Sequence, residues 1–267
     1  MLNGDKLFCS TDRGIRKERC LERKCVVMEK KVFVLGLPGS GKSTAARYIQ
    51  LLARMSGWSP TRFNDYDILY EMFEADDGSR FSSTEHDGFD VHDHTAFDDA
   101  LREVETRVLQ RERILEKKDE LIIIEFARND YGKALKLFNS EFLCNATFLF
   151  VDADIPTCKQ RIRERVAHPC TPDDHFVSEY IFEAYYQMDN RQYLEVIAFS
   201  LNECCGINSD KIRVIDNTAA TPMTSFLEAI NAFAPSIFGT PVCCPEPASV
   251  IEEVAPSFVR YAIPNIV

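Results

Sequence analysis

One stretch of nine residues constrains this chain more than any other feature of its sequence. Residues 36–44 read Gly-Leu-Pro-Gly-Ser-Gly-Lys-Ser-Thr and match the pattern G-x-x-x-x-G-K-[ST] at every position. They follow an apolar run, Val32–Leu35, and precede a helical pattern. In that context the backbone N–H groups of a glycine-rich turn point at phosphate oxygens beside a helix N-terminus. The stretch therefore predicts a phosphate-binding loop between a buried strand and a helix.

The residue types in this loop suit a nucleoside triphosphate and its metal ion. Lys42 can reach the β- and γ-phosphates as a point charge, and the Ser43 hydroxyl can ligate Mg²⁺. ATP and Mg²⁺ are therefore the expected ligands. Phosphate contact is predicted for Gly36, Pro38, Gly39, Ser40, Gly41, Lys42, Ser43 and Thr44.

The sequence on both sides of the loop alternates between strand-like and helix-like patterns. Short apolar runs bounded by turn residues are typical of buried parallel strands. Helical stripes separate them, the clearest at Ser43–Met55 and Asp98–Lys118. The alternation predicts an α/β fold, a three-layer sandwich around a five-stranded, mostly parallel sheet of the P-loop NTPase type. The predicted strands lie at 32–35, 58–65, 121–125, 147–151 and 212–215.

The charge distribution excludes several classes of partner. The formal net charge is −11, and residues 64–100 alone hold twelve acidic side chains against one basic side chain. Long nucleic acids and anionic membranes require clustered Lys and Arg, so we expect neither as a partner. The ten cysteines include no C-x-x-C pair. Because no signal-like apolar segment is present either, we expect a reduced, cytoplasmic protein.

Beyond the loop, three stretches are similar to nucleoside-monophosphate-kinase-like and related small-molecule kinases. Residues 122–128, Ile-Ile-Ile-Glu-Phe-Ala-Arg, resemble the strand followed by Phe-Pro-Arg in that family. The resemblance implies that Arg128 grips the phosphate of the acceptor. Residues 214–217 resemble the last strand, whose following loop lies near the adenine.

The third stretch carries three arginines and resembles the segment that leads into the mobile lid of these kinases. Arg161 and Arg165 lie four residues apart and share one helical face, while Arg163 points elsewhere. We therefore expect Arg161 and Arg165 to close over the transferring phosphate. The chain leaves room only for a short lid, predicted at 159–175.

Two departures from the family leave the acceptor open. Glu125 stands where the family has glycine, and it resembles the Glu-x-x-Arg arrangement of deoxynucleoside kinases. Asp65-Tyr66-Asp67 resembles the Asp-x-Asp of shikimate-type kinases and the strand-end aspartate of zeta-toxin and polynucleotide-kinase relatives. A hydroxyl acceptor needs a carboxylate within hydrogen-bond reach, for which Asp67, Asp65 and Glu125 are the candidates. Asp65 is also the candidate for outer-shell Mg²⁺ ligation.

The same reasoning divides the chain into three parts. Residues 1–30 are predicted to be a flexible basic extension, 31–233 the P-loop kinase domain, and 234–267 an irregular tail punctuated by proline. Within the domain, residues 64–118 are the predicted acceptor-binding insert. His92-Asp93-His94 in this insert fits a solvated acidic segment better than a metal site.

The predicted activity is transfer of the γ-phosphate of ATP to a small acceptor, and a nucleotide or nucleoside is the favoured acceptor. One alternative is a kinase for a hydroxyl of a sugar, another metabolite or a 5′-hydroxyl polynucleotide, with Asp67 as base. A second alternative is an ATP-binding switch or ATPase that acts through a protein partner. The sequence predicts no oligomeric state.

Overall fold

The computed structural model describes residues 29–112, 119–144, 146–187, 207–239, 242 and 244–256. Within these ranges the main sheet has five strands, and all neighbours are parallel. Their order across the sheet is Ser59–Asn64, Glu120–Phe126, Glu29–Leu35, Thr147–Asp152 and Ile212–Asp216. The predicted α/β sandwich is confirmed, and the sheet is entirely parallel. Its strands are β1 (Glu29–Leu35), β2 (Ser59–Asn64), β5 (Glu120–Phe126), β6 (Thr147–Asp152) and β7 (Ile212–Asp216).

Helices connect the strands and cover both faces of the sheet. A two-stranded antiparallel hairpin, β3 (Phe81–Ser83) and β4 (Phe89–Val91), stands apart from it. The 3₁₀-helix Ser209–Lys211 leads into β7. The helices of the described residues are α1 (Lys42–Met55), α2 (Asp65–Ala75), α3 (Thr95–Glu112), α4 (Tyr131–Leu135), α5 (Ser140–Leu143), α6 (Ile155–Ala167), α7 (Glu179–Ala184), α8 (Met223–Phe238) and α9 (Pro247–Val254).

The central strand β1 separates two cores. Because side chains alternate along a strand, Phe33 packs on one face of the sheet and Val34 on the other. The Phe33 face is aromatic: the Phe33 ring stacks on Phe148 with 5.0 Å between the ring centroids. The Val34 face packs against α1 and α8 and is mainly aliphatic. The main chain of β1 is thereby fixed on both sides.

Strand register brings the functional loops to one edge of the sheet. Leu35, the last residue of β1, lies opposite Phe126 of β5 and Phe150 of β6. The segments that follow these strands therefore emerge side by side at the carboxyl ends. In parallel α/β sheets, ligands bind at this edge.

The acidic segment after β2 is more ordered than the sequence suggested. The acidic composition of residues 71–96, which is poor in aliphatic side chains, predicts mostly loop, but α2 continues to Ala75 and the β3–β4 hairpin follows. Asn64 caps α2 by accepting a hydrogen bond from the N–H of Tyr66 at 3.0 Å. The buried side chains of Ile68 and Leu69 anchor the helix to the core. Apolar residues at helical spacing, rather than net charge, decide the local structure here.

Two further element boundaries differ from the prediction. The tail expected to be irregular from residue 234 continues α8 to Phe238 and later forms α9, whose Val254 is buried. The break at His168–Pro172, followed by Asp173 or Asp174 as a cap, predicts a helix to about Leu194, but the described part of this range is helical only in α7, and residues 188–194 lie outside the described residues. Residues 1–28 of the predicted extension lie outside the described ranges, and β1 begins at Glu29. No helix among the described residues is both long and apolar enough to cross a bilayer.

Candidate active site

The loop after β1 curls because glycine occupies its strained positions. The φ angles of Gly36, Gly39 and Gly41 are +149°, +80° and +103°. A Cβ atom on Gly41 would lie 2.4 Å from the Asn217 side-chain nitrogen, and one on Gly39 would lie 2.5 Å from the Cys158 carbonyl. Any larger residue would therefore force the loop or its neighbours to move.

Side chains from other elements fix the loop in this shape. The N–H of Gly36 donates to the hydroxyl of Tyr131 at 2.8 Å, at the start of α4. The Asn217 amide donates to the Ser40 carbonyl at 2.7 Å, and Arg161 Nη1 donates to the Asn217 carbonyl at 2.8 Å. The loop is therefore preorganised by residues that follow β5, β6 and β7.

Lys42 and Ser40 carry polar atoms that suit a phosphate. The Lys42 side chain is buried, and its Nζ donates to the Leu37 carbonyl within the loop at 2.9 Å. Burial lowers the pKa of Lys42, against the opposing charges of Glu125 and Asp65. The Ser40 hydroxyl is buried and has no hydrogen-bond partner among the described residues. Together with the strained glycines, these groups fit the phosphates of a nucleotide.

Glu125 lies directly against the loop. The Ser43 hydroxyl donates to Glu125 Oε1 at 2.7 Å, and Arg62 Nε on β2 donates to Oε2 at 3.0 Å. Glu125 is buried, and in the register of the sheet it lies opposite Val34 of the neighbouring strand β1. The sequence predicts Ser43 as a metal ligand and Asp65 as an outer-shell ligand, and the structure adds Glu125 beside Ser43. A hydroxyl and a carboxylate at a triphosphate loop suit Mg²⁺.

No cluster in the described part of the chain would hold a metal by itself, since no group of three or more His, Cys, Asp or Glu side chains has suitable geometry. A Mg²⁺ ion that bridges phosphate oxygens needs few protein ligands. Ser43 and Glu125 therefore fit Mg²⁺ delivered with a nucleotide. The His92-Asp93-His94 segment shows no such cluster, and His92 Nε2 instead lies 2.8 Å from the Ser82 hydroxyl.

Asp173, in the segment after α6, links that segment to β2 and to α1, the helix that follows the phosphate loop. This carboxylate pairs with Arg47 of α1 and with Arg62, whose Nη2 lies 2.9 Å from Asp173 Oδ1. Burial acts to raise the pKa of Asp173, but hydrogen bonding to Arg62 and the charge of Arg47 outweigh it and lower that pKa. Because Arg62 also binds Glu125, one arginine joins the predicted lid to the group beside Ser43.

The next contact of the same segment is aromatic. The ring of His175 stacks on Tyr66 with 3.5 Å between the centroids, and its carbonyl accepts from Arg165 Nε at 3.0 Å. Burial, with the charges of Arg165, Lys42 and Arg62, lowers the pKa of His175 well below 6.5. We therefore treat His175 as a neutral ring at neutral pH.

These elements enclose a cleft of about 500 Å³. Its first part, here called the phosphate-loop half, is lined by Pro38, Gly39, Gly41, Lys42, Ser43, Thr44, Arg161, Arg165 and Asn217. Its second part, here called the aromatic half, is lined by Asp65, Tyr66, Leu69, Phe89, Val91, Phe97, Phe176, Val177, Ile181 and Tyr186. The cleft therefore joins a polar, cationic region to an apolar one.

Arg128 does not line the cleft. Its side chain is 2% exposed and pairs with Asp65, which borders the aromatic half. Arg128 also donates to the carbonyls of Ala127 and Phe97. The resemblance implied that the Arg128 guanidinium binds the phosphate of an acceptor. In the structure the guanidinium instead binds the Asp65 carboxylate. The reason is that α2 begins at Asp65 and brings this side chain over the end of β5.

One other predicted residue lies outside the cleft and two lie in it. Asp67, the predicted base, is exposed on the first turn of α2 and does not line the cleft. Arg163 pairs with Glu179 at the surface. Arg161 and Arg165 both line the cleft, as their shared helical face predicted.

Sequence reasoning missed four residues of the site. Arg62, Tyr131, Asp173 and His175 belong to no motif and act through contacts between elements distant in the chain. Only Asp173 carried a signal, as an acidic residue after the helix break at His168–Pro172, and that signal predicted a helix cap instead.

The strand order, the loop after the first strand and the carboxylate beside its serine define a P-loop nucleoside triphosphatase fold. The family model described as an AAA domain matches residues 32–182, and the chain belongs to that family. The search of curated proteins finds no match.

Solved structures resemble the chain at low sequence identity. A sugar kinase from Janibacter sp. HTCC2649 is 14% identical and has a TM-score of 0.47, with 79% of this chain and 95% of that chain covered. The APS kinase of Mycobacterium tuberculosis, solved with AMPPNP and APS, is 13% identical and has a TM-score of 0.43, with 78% and 98% covered.

Proposed function

We propose that the protein is an ATP- and Mg²⁺-dependent phosphotransferase that moves the γ-phosphate of ATP to a small acceptor. The observation that carries this proposal is the continuity of the cleft. It runs from Lys42 and Ser43, which suit the phosphates of a donor, to the apolar and aromatic side chains that line the aromatic half. A switch that acts only by binding ATP has no need for such a second compartment.

The residues of the phosphate-loop half supply the positions that phosphoryl transfer requires. Lys42 and the loop N–H groups would hold the donor phosphates, and Ser43 with Glu125 would hold Mg²⁺, which would supply positive charge to the phosphates. Arg161 and Arg165 border the same space from α6. Positively charged groups there stabilise the charge that develops on the transferring group.

The proposal is tested by following the label of [γ-³²P]ATP. Purified protein is incubated with ATP, Mg²⁺ and a panel of nucleosides, nucleoside monophosphates, sugars and short 5′-hydroxyl oligonucleotides. We expect label on at least one small acceptor and no transfer after chelation of Mg²⁺. Release of inorganic phosphate alone, at a rate that no acceptor changes, would instead indicate an ATPase.

A further inference from the structure

The C-terminal end of α9 lies beside the cleft. Its last residue, Val254, is buried in the core on the Val34 face of the sheet, and Ala255, which follows it, lines the cleft. The last turn of α9 carries Glu252 and Glu253 and no basic side chain. The final carbonyls of a helix have no partner within the helix and carry partial negative charge. A cationic donor from another element therefore stabilises this end of α9.

Arg47 of α1 supplies that donor. Its Nε donates to the Val254 carbonyl at 2.9 Å, and its Nη1 donates to the carboxylate of Asp173. An arginine side chain has many rotamers, and holding one of them costs conformational entropy. Because the contact with α9 fixes Nε, it also holds Nη1 in the direction of Asp173. One guanidinium group therefore joins the end of α9 to the segment that follows α6.

Asp173 continues these contacts towards the phosphate loop. Besides the bond from Arg47, it accepts hydrogen bonds from Arg62 Nη1 at 3.0 Å and from Arg62 Nη2 at 2.9 Å. Arg62 also binds Glu125, whose Oε1 accepts from the Ser43 hydroxyl. The side chains of Arg47, Asp173 and Arg62 are 21%, 16% and 16% exposed, so solvent screens their charges less than those of surface pairs. A continuous series of polar contacts therefore runs from α9 to the loop.

We propose that Arg47 is a positioning residue of the nucleotide site and that α9 holds it in place, so that the C-terminal part of the chain contributes to ATP binding. This inference rests on the proposed function only in taking ATP as the ligand. With Arg47 and Arg62 both bound to Asp173, the predicted lid is held beside the loop. A lid that is already ordered loses less conformational entropy when a nucleotide binds. Losing the contact with α9 frees Arg47 and weakens this order.

The role of Arg47 is tested by the affinity for a fluorescent ATP analogue. Arg47→Gln removes the charge that joins α9 to Asp173, and we expect it to weaken binding about fivefold, as losing a partly exposed charged hydrogen bond would. Arg54→Gln is the control, because it removes the same charge from an exposed position of the same helix. It should keep the affinity within about twofold. Unchanged affinity in Arg47→Gln, or equal losses in both variants, overturns the inference.

The part played by α9 is tested by a double-mutant cycle. Glu253→Pro removes a backbone hydrogen bond from the last turn of α9 and displaces the Val254 carbonyl, whereas Glu253→Ala, at the same exposed position, leaves the turn intact. We expect Glu253→Pro to weaken binding of the analogue about fivefold and Glu253→Ala less than twofold. Combining Glu253→Pro with Arg47→Gln should add little further loss, because both changes remove one contact. Losses that multiply, or no loss in Glu253→Pro, contradict the inference.

Hydrogen exchange of the unmodified protein gives an independent test. Coupling between two sites is reciprocal, so the ATP analogue should slow amide exchange in α9, and Arg47→Gln should abolish this slowing. Exchange in α9 that the analogue does not change, or slows equally in Arg47→Gln, overturns the inference. The coupling without transfer of phosphate to any acceptor would contradict the proposed function and leave this inference standing. No binding of the analogue would contradict both.

Discussion

The two halves of the cleft differ in how they are built. The phosphate-loop half is formed mainly by one continuous stretch, whose glycines and backbone N–H groups follow a local pattern. The aromatic half is assembled from α2, the β3–β4 hairpin, α3 and the segment around α7. Backbone recognition of phosphate needs only the loop, whereas selection of an acceptor needs side chains from distant parts of the chain. The halves should therefore respond differently to substitution.

The largest effect should come from the lysine of the loop. Lys42→Ala removes the buried ammonium group that is placed at the transferring phosphate, so we expect phosphate transfer to fall at least about 10²–10³-fold. The thermal midpoint should change little, because within the described ranges the ammonium group makes one hydrogen bond, to the Leu37 carbonyl. Lys133→Ala is the control, since that side chain is 86% exposed. Retained turnover in Lys42→Ala would falsify the assignment of the loop.

A second substitution separates contact from backbone strain. Gly41→Ala places a methyl group 2.4 Å from the Asn217 amide, whereas Gly57 has a φ of +81° and nothing within 4 Å of an added Cβ. Gly57→Ala is therefore the control. Both Gly41→Ala and Gly57→Ala carry the strain of a left-handed residue, about 1–2 kcal/mol. Only Gly41→Ala should also weaken ATP binding, by about 30-fold or more, which corresponds to about 2 kcal/mol. Equal ATP affinities measured by calorimetry would contradict the idea that Asn217 shapes the loop.

The stacked rings of His175 and Tyr66 should make the stability of the fold depend on pH. The unfolded chain protonates His175 near pH 6.5, whereas the folded chain holds the pKa of His175 well below 6.5. The unfolded state therefore binds more protons, and the free energy of unfolding falls as the pH drops below about 6.5, by up to about 1.4 kcal/mol per pH unit. His175→Phe keeps a ring beside Tyr66 and removes this titration. Urea unfolding at pH 5 to 7 should give a shallower slope for the variant, and identical slopes would refute the assignment.

A smaller effect on the KM for ATP is expected from Asp173, which links the predicted lid to α1. Asp173→Asn weakens the pairs with Arg47 and Arg62, and losing about 1–1.5 kcal/mol of charged hydrogen bonding corresponds to about a fivefold to tenfold rise in the KM for ATP. The control is Glu179→Gln, whose pair with Arg163 is exposed on both sides, so its effect should stay within about twofold. If both variants shift the KM equally, Asp173 does not hold the lid.

The same contrast explains what could be predicted from the sequence. The five strands and the loop were predictable because apolar runs and the glycine pattern are local signals. The Asp65–Arg128 pair was not, since it joins residues 63 positions apart through the turn that starts α2. Arg62 likewise binds Glu125 across neighbouring strands whose order the sequence does not specify. Local chemistry is encoded in motifs, but the partner of each charged group depends on the fold.

The most direct test of the proposed phosphotransferase is the fate of the label of [γ-³²P]ATP. Purified protein is incubated with Mg²⁺ and an unfractionated small-molecule extract, and the labelled compounds are separated by thin-layer chromatography. We predict label on a compound other than ATP and inorganic phosphate, and no such product from Lys42→Ala. Label found only in ATP and inorganic phosphate, at a rate that the extract does not change, would contradict the account.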